Sequence, residues 1–315
     1  MIVTTPEITR AEFERGTGWQ LRPEGACRGD VCIPIADAAG DSVDVVATAD
    51  AMGLPVVRHE HLSAVGPWGG SGRTLVTAEA PELHPLGLEV VTVGLDTAGA
   101  EACRPFIEAA QPSHPSLTDQ QHAVAELFGV INIPNGVWID ENGIIVRPAE
   151  TAPAPRREER AAAGDMGELP ERMVEIFTEA QKIRSDPQAY EAALRDWVAN
   201  GADSPFALSP AEVIERSQPR DDEAARGQAH FELATHLHAV GKHDAAVEHF
   251  RAAHELVPTN FSYKRQAWSL EPGPDGPLQR FWQGPSEGAD WPYAGDWLTD
   301  VREFGAENYY AEWRP

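Results

Sequence analysis

Basic side chains are scarce in this chain: 25 Lys and Arg stand against 50 Asp and Glu, a formal charge of -25. A surface of that sign repels phosphate backbones and anionic membrane faces, so nucleic acid is not an expected partner. Long apolar runs are missing too. No stretch approaches the roughly 18 apolar residues of a bilayer span, and the opening MIVTTPEITRAEFERGTGW has no basic region followed by an apolar one. No membrane partner is expected, and the location read from this is cytoplasmic. Cysteine is limited to three residues, Cys27, Cys32 and Cys103, too few and too odd in number for a secreted disulfide framework. There is no Cys-x-x-Cys, no His-Glu-x-x-His, no Gly-rich phosphate loop, no Gly-x-Ser-x-Gly elbow and no paired-carboxylate signature. Neither a cofactor nor a resident metal is therefore expected.

What remains is an ordinary globular composition, 42% apolar over 315 residues, long enough for two or three domains. In the first 75 residues, Trp19-Gln20-Leu21 and Val31-Cys32-Ile33 read as two short strands of a hairpin, with turn chemistry at Pro23-Glu24-Gly25 and Arg28-Gly29-Asp30. Val43 to Met52 reads as a helix closed by Gly53, and Leu54 to Arg58 as an extended run. Gly66 to Gly72 is loop or linker.

Residues 88 to 147 have the clearest rhythm. Leu88 to Leu95 is a continuous, β-branched apolar run that suits a strand covered on both faces. Thr97 can cap a helix through Ala110, with Cys103, Phe106, Ile107 and Ala110 at three-and-four spacing. Ser113 to Leu117 reads as a connection, and Asp119 as the cap of a second helix ended by Gly129. Ile131 to Pro134, Gly136 to Asp140 and Ile144 to Arg147 follow as extended segments, the last two joined by an Asn142-Gly143 hairpin turn. Pro148 to Gly167 reads as a linker. Helices are expected at Glu171 to Ile183, after Asp186-Pro187, after Ser209-Pro210 and as a pair from Gln228 to Leu256. The tail beyond Asn260, with Trp268, Trp282, Trp291, Trp297 and Trp313, reads as an irregular aromatic-anchored wrap.

The pieces LEVVTVGLD, RPFIEAA, HAVAELFGV, NIP before VWID, and ENGIIVR, in that order, resemble the redoxins of the thioredoxin superfamily, the group of peroxiredoxins and ResA-like thiol-disulfide oxidoreductases. The flank GWQLRPEGACRGDVCIPI and the C-terminal helix pair look like the flanks of a bacterial redoxin group. The resemblance implies a cis proline against the redox centre, which by position is Pro134 after Ile133, and an activity of cysteine-based disulfide or peroxide reduction. Family members place a hairpin, a central strand, the cysteine motif and a long helix before the equivalent of Val90. Here only His84 to Glu89 intervenes, and six residues span at most about 20 Å, too short for a strand plus a helix.

With the usual motif missing, the candidate thiols are Cys27 and Cys32, which a hairpin turn brings within disulfide reach. They are either a redox pair, with Cys27 attacking, Cys32 resolving and Pro134 shaping the site, or a structural pair or two packed free cysteines. Cys103 reads as core. His59, His61 and His84 could serve as zinc or copper ligands with a hairpin thiolate, but no metal-binding motif accompanies them. His230, His236, His238, His243 and His249 fall on several helix faces. Leu233, Ala234, Gly241, Ala246, Phe250, Ala253 and Pro258 match the positions of a tetratricopeptide repeat of about 34 residues.

The expectation is thus an α/β chain: a small N-terminal module (1–75), a truncated thioredoxin-like mixed sheet (76–150), a linker (151–169), a helical region with one tetratricopeptide-like repeat (170–260, repeat 227–260), and the aromatic tail (261–315). The expected function is a redoxin-type oxidoreductase served by a thiol reductant or a protein disulfide partner. The alternative is a non-catalytic scaffold that binds a protein through the helical region.

Overall fold

The computed structural model describes residues 1–28, 31–35, 38, 40–65, 81–153, 171–217, 221–273, 276–277, 291–311 and 313–314. It is a mixed α/β chain with several small sheets and a helical C-terminal region. In chain order the elements are β1 (Ile2–Val3), β2 (Glu7–Thr9), α1 (Arg10–Thr17), β3 (Gln20–Arg22), β4 (Gly25–Arg28), β5 (Val31–Ile33), β6 (Ser42–Asp44), α2 (Val45–Ala51), β7 (Val56–His59) and β8 (Leu62–Val65). Then come β9 (Thr92–Leu95), α3 (Ala100–Ala110), β10 (Ser116–Asp119), α4 (Ala123–Phe128), β11 (Asn135–Ile139) and β12 (Ile145–Thr151). The helices α5 (Glu171–Ala180), α6 (Pro187–Asn200), α7 (Pro210–Ser217), α8 (Asp222–Ala239), α9 (His243–Leu256), α10 (Phe261–Ser269) and α11 (Trp297–Phe304) follow, with the short antiparallel pair β13 (Pro272–Gly273) and β14 (Gly276–Pro277) between the last two. No described helix is long and apolar enough to cross a membrane. The linker expected from Gly66 to Gly72, and Trp282 of the tail, lie outside the described residues.

The chain divides into two compact units, each drawn from two stretches of sequence: Met1–Gly72 with Pro219–Tyr263, and Arg73–Gln218 with Lys264–Pro315. In the first unit, Thr9 caps α1 through a reciprocal exchange with Glu12, and Asp44 caps α2 by accepting from the Val46 and Ala47 amides. These caps orient Phe13, Val45 and Ala49 onto a core shared with Val3, Trp19, Leu21, Ala26, Val43 and Val65. The N-terminal cysteine region is a three-stranded meander, β3-β4-β5, and not the two-stranded hairpin expected. The short GACR strand has no alternating apolar pattern, so nothing local marks it. In the helix pair, Leu233, Ala234, Ala246, Phe250 and Ala253 are all fully buried and Gly241 takes a left-handed φ of 80° in the turn between α8 and α9.

In the second unit, β9 and β10 pair in parallel around α3, so Ser116–Asp119 is a strand where a connection was expected. Asp119 does hold the first turn of α4, accepting from the Ala123 and Val124 amides at 3.0 and 2.7 Å. Thr97 does not cap α3; its amide donates to the Gln266 side chain, and Gly99 precedes the helix. Ile131–Pro134 makes no strand, and β12 runs on to Thr151, into the stretch read as linker. The hairpin β11-β12 packs on α6, which starts as expected at Asp186-Pro187. Their shared core holds Trp138, Tyr190, Ala193 and Leu194, with the Trp138 indole donating to the Tyr190 hydroxyl at 3.0 Å.

Candidate functional site

Strand β4 lies between β3 and β5, and its register decides what the cysteines can do. Cys27 stands opposite Gln20 on one side and Cys32 on the other, while Leu21, Ala26 and Ile33 occupy the alternate positions that face the core. The Cα atoms of Cys27 and Cys32 are 4.1 Å apart and their sulfurs are joined in a disulfide. That spacing is close to the narrow, non-hydrogen-bonded pair of an antiparallel ladder, in which facing side chains approach most closely. Gly25 fixes the approach of the third strand: with φ at 137°, it lies so near the Ile33 carbonyl and Pro34 that any Cβ would overlap them.

The two sulfurs differ in access. Cys27, on the central strand, is 0% exposed, whereas Cys32, on the edge strand, is exposed. The order expected from the sequence, Cys27 attacking and Cys32 resolving, names the buried cysteine as the first nucleophile. Beside the pair stands Glu24, in the β3-β4 turn. One of its carboxylate oxygens and the two sulfurs all lie within 4.8 Å of one another. Sequence reasoning missed Glu24, although its position in the turn that returns the chain to Cys27 was visible.

Pro134 belongs to the other unit, so the geometry of the cysteines and that of the proline are separate matters. The Ile133-Pro134 peptide is cis, the isomer that the resemblance implies there. The Ile133 carbonyl accepts from Arg265 at 3.1 Å and from the Tyr310 hydroxyl at 3.2 Å, and the Asn132 amide donates to the Tyr309 carbonyl at 2.7 Å. Residues far along the chain thus pin this corner. In the same unit, His122 is buried, with Nε2 at 3.0 Å from the Gln266 side chain, and burial pushes its pKa down.

Of the three histidines that could serve a metal, His59 and His61 belong to the first unit and His84 to the second. His84 lies beside Glu89 at 3.3 Å and His61 beside Glu60 at 4.0 Å, while His59 is 3.2 Å from Nε2 of His249. The Nδ1 atom of His249 in turn meets Nδ1 of His230 at 2.9 Å, so β7, α8 and α9 are linked by a chain of imidazoles. Burial above all, then the neighbouring His230 and His59, pushes His249 down to about 4. Among the described residues, Glu24, Cys27 and Cys32 form the single group of three metal-ligand side chains close enough to share an ion. Cys103 is half-buried on α3, and burial raises its thiol pKa, which makes it a poor nucleophile.

Compared with protein-family models, with curated proteins and with solved structures, the chain matches none of them.

Proposed function

We propose that the chain is a redoxin-type thiol-disulfide oxidoreductase of thioredoxin-like ancestry, with Cys32 as its accessible thiol and Cys27 as the buried resolving thiol. The single observation that carries this reading is the in-register Cys27–Cys32 disulfide with one cysteine exposed and the other fully buried. That asymmetry suits exchange. The Cys32 thiolate attacks a substrate disulfide and releases one substrate thiol. Cys27 then attacks the mixed disulfide, closing the protein's own bond and releasing the second thiol. A dithiol reductant reopens the bond by supplying two electrons and two protons. With a peroxide, Cys32 would pass through a sulfenic acid and Cys27 would release water from it. The order of elements from β9 to β12 supports the ancestry, although among the described residues two separate pairs, β9-β10 and β11-β12, stand where one mixed sheet was expected; Pro134 belongs to that part of the reading, and neither a cofactor nor a metal takes part in the exchange. A reducing cytoplasm would keep the pair cycling.

The test is turnover of a disulfide dye or of peroxide by the reduced protein. Cys32→Ser should abolish it, and Cys27→Ser should accumulate the mixed disulfide. Equal turnover by the double serine variant overturns the reading. A scaffold that binds through α3, and not through the helical region expected, has one observation in its favour: α3 has no buried residue and Phe106 on it is 78% exposed, an apolar surface suited to a protein partner. It predicts no thiol turnover in the wild-type chain, so the same assay decides between them.

A further inference from the structure

We propose that the reduced meander is a divalent-metal site, built from the thiolates of Cys27 and Cys32 and the carboxylate of Glu24, with zinc as the natural occupant, and that metal and disulfide exclude one another.

The ligand atoms are already gathered: both sulfurs and a Glu24 oxygen fall within 4.8 Å of one another. In the disulfide neither sulfur carries the charge that a metal needs. Reduction supplies two thiolates facing each other across adjacent strands, and a borderline-soft ion such as zinc accepts sulfur together with carboxylate oxygen. Glu24 and Cys32 are exposed, so the fourth coordination position opens to solvent. Cys27 supplies the reason for a cation. Its sulfur is completely covered, and a buried thiolate is costly unless an opposite charge lies against it. A bound dication provides that charge, and the excess of carboxylates over the whole chain favours cations near the surface.

The chemistry balances. A phosphine opens the bond by taking up the oxygen of one water, leaving two thiols and the phosphine oxide. Metal binding then releases the two thiol protons. Peroxide reverses it: two thiolates, one hydrogen peroxide and two protons give the disulfide, two waters and the free ion.

The proposal shares the Cys27–Cys32 pair with the function proposed above, yet the two fail separately, because the phosphine opens the bond without any partner protein. The full-length chain is reduced anaerobically with a phosphine, and the gain of two titratable thiols beside Cys103 is confirmed under denaturing conditions. Cobalt(II) is then titrated in. The expected result is one equivalent bound, with a sulfur-to-cobalt charge-transfer band that zinc abolishes, and no band from the oxidised protein. Glu24→Gln, a change in an exposed turn, should weaken zinc by more than the roughly 10–100-fold that loss of a supporting hydrogen bond costs a metal site. Cys32→Ser, at an exposed edge position, should remove most of the band. A reduced, folded protein with no band overturns the site, and a band and affinity unchanged by Glu24→Gln overturn the carboxylate's part in it. Metal uptake without dye turnover overturns the oxidoreductase reading alone.

Discussion

In β11 Gly136, Val137 and Trp138 are all buried, whereas in β9 every residue is only half-buried and α3 beside it has none buried at all. Both segments look alike as sequence, with apolar runs at sheet or helix spacing. The difference lies in their partners. The hairpin β11-β12 has α6 and the ring of Trp313 to close over it, and even Arg147, 1% exposed, is taken in: it pairs with Glu150, donates to the Phe206 and Arg314 carbonyls, and lies over the rings of Trp138 and Trp313. Among the described residues the parallel pair β9-β10 has no such cover, and Phe106, Leu117, Leu127 and Ile131 around it are exposed. An apolar pattern states which face could be buried; a second element must supply the burial.

The contrast can be broken by substitution. Trp138→Ala removes a fully buried ring and its bond to Tyr190, and should lower unfolding free energy by about 3–5 kcal/mol in a urea titration. Arg147→Met removes the donor to the Phe206 carbonyl and leaves Glu150 and the Arg314 carbonyl with Arg216, and about 2–3 kcal/mol should be lost, with the two effects less than additive because the side chains touch. Gly136→Ala brings a Cβ to 2.7 Å from the Tyr190 hydroxyl and 2.9 Å from the Ala152 Cβ, for a loss of about 1–3 kcal/mol. Gly94→Ala in β9 meets only the Cys103 sulfur, at 2.8 Å, a side-chain end that can swing aside, so under about 1 kcal/mol is expected. Equal costs for the two glycines would contradict the difference in packing.

Burial raises the Tyr190 phenol to about 12. Between pH 10 and 12 the unfolded chain therefore loses a proton that the folded one keeps, and stability falls as pH rises. Relative to Tyr190→Phe, the wild type should lose on the order of 1 kcal/mol between pH 9.5 and 11. Phe106→Ser on the uncovered helix should change stability by less than about 0.5 kcal/mol. A loss as large as that of Trp138→Ala would mean that α3 is covered after all.

Elements announced by local chemistry were legible before any coordinates. Asp186-Pro187 starts α6, Asp119 holds α4, and the small and large apolar positions of α8 and α9 are buried where the spacing put them. Elements defined only by a distant strand were not. β10 exists because Ser116–Asp119 finds β9, and β4 because GACR finds neighbours on both sides. The same limit applies to the site. The approach of Cys27 to Cys32 could be read from a turn, but which sulfur is covered depends on which strand is central. The contact of His122 with Gln266, 144 residues away, left no local trace.

Only five positions separate Cys27 from Cys32 along the chain. The ring that their bond closes is so short that it withholds little freedom from the unfolded polypeptide, about 2 kcal/mol on a chain-entropy estimate, well below what a crosslink between distant segments contributes. Phe13, Val45 and their neighbours hold the surrounding module together by contacts that owe nothing to sulfur. Opening the linkage would therefore cost the module little, and the contacts around it would remain in place.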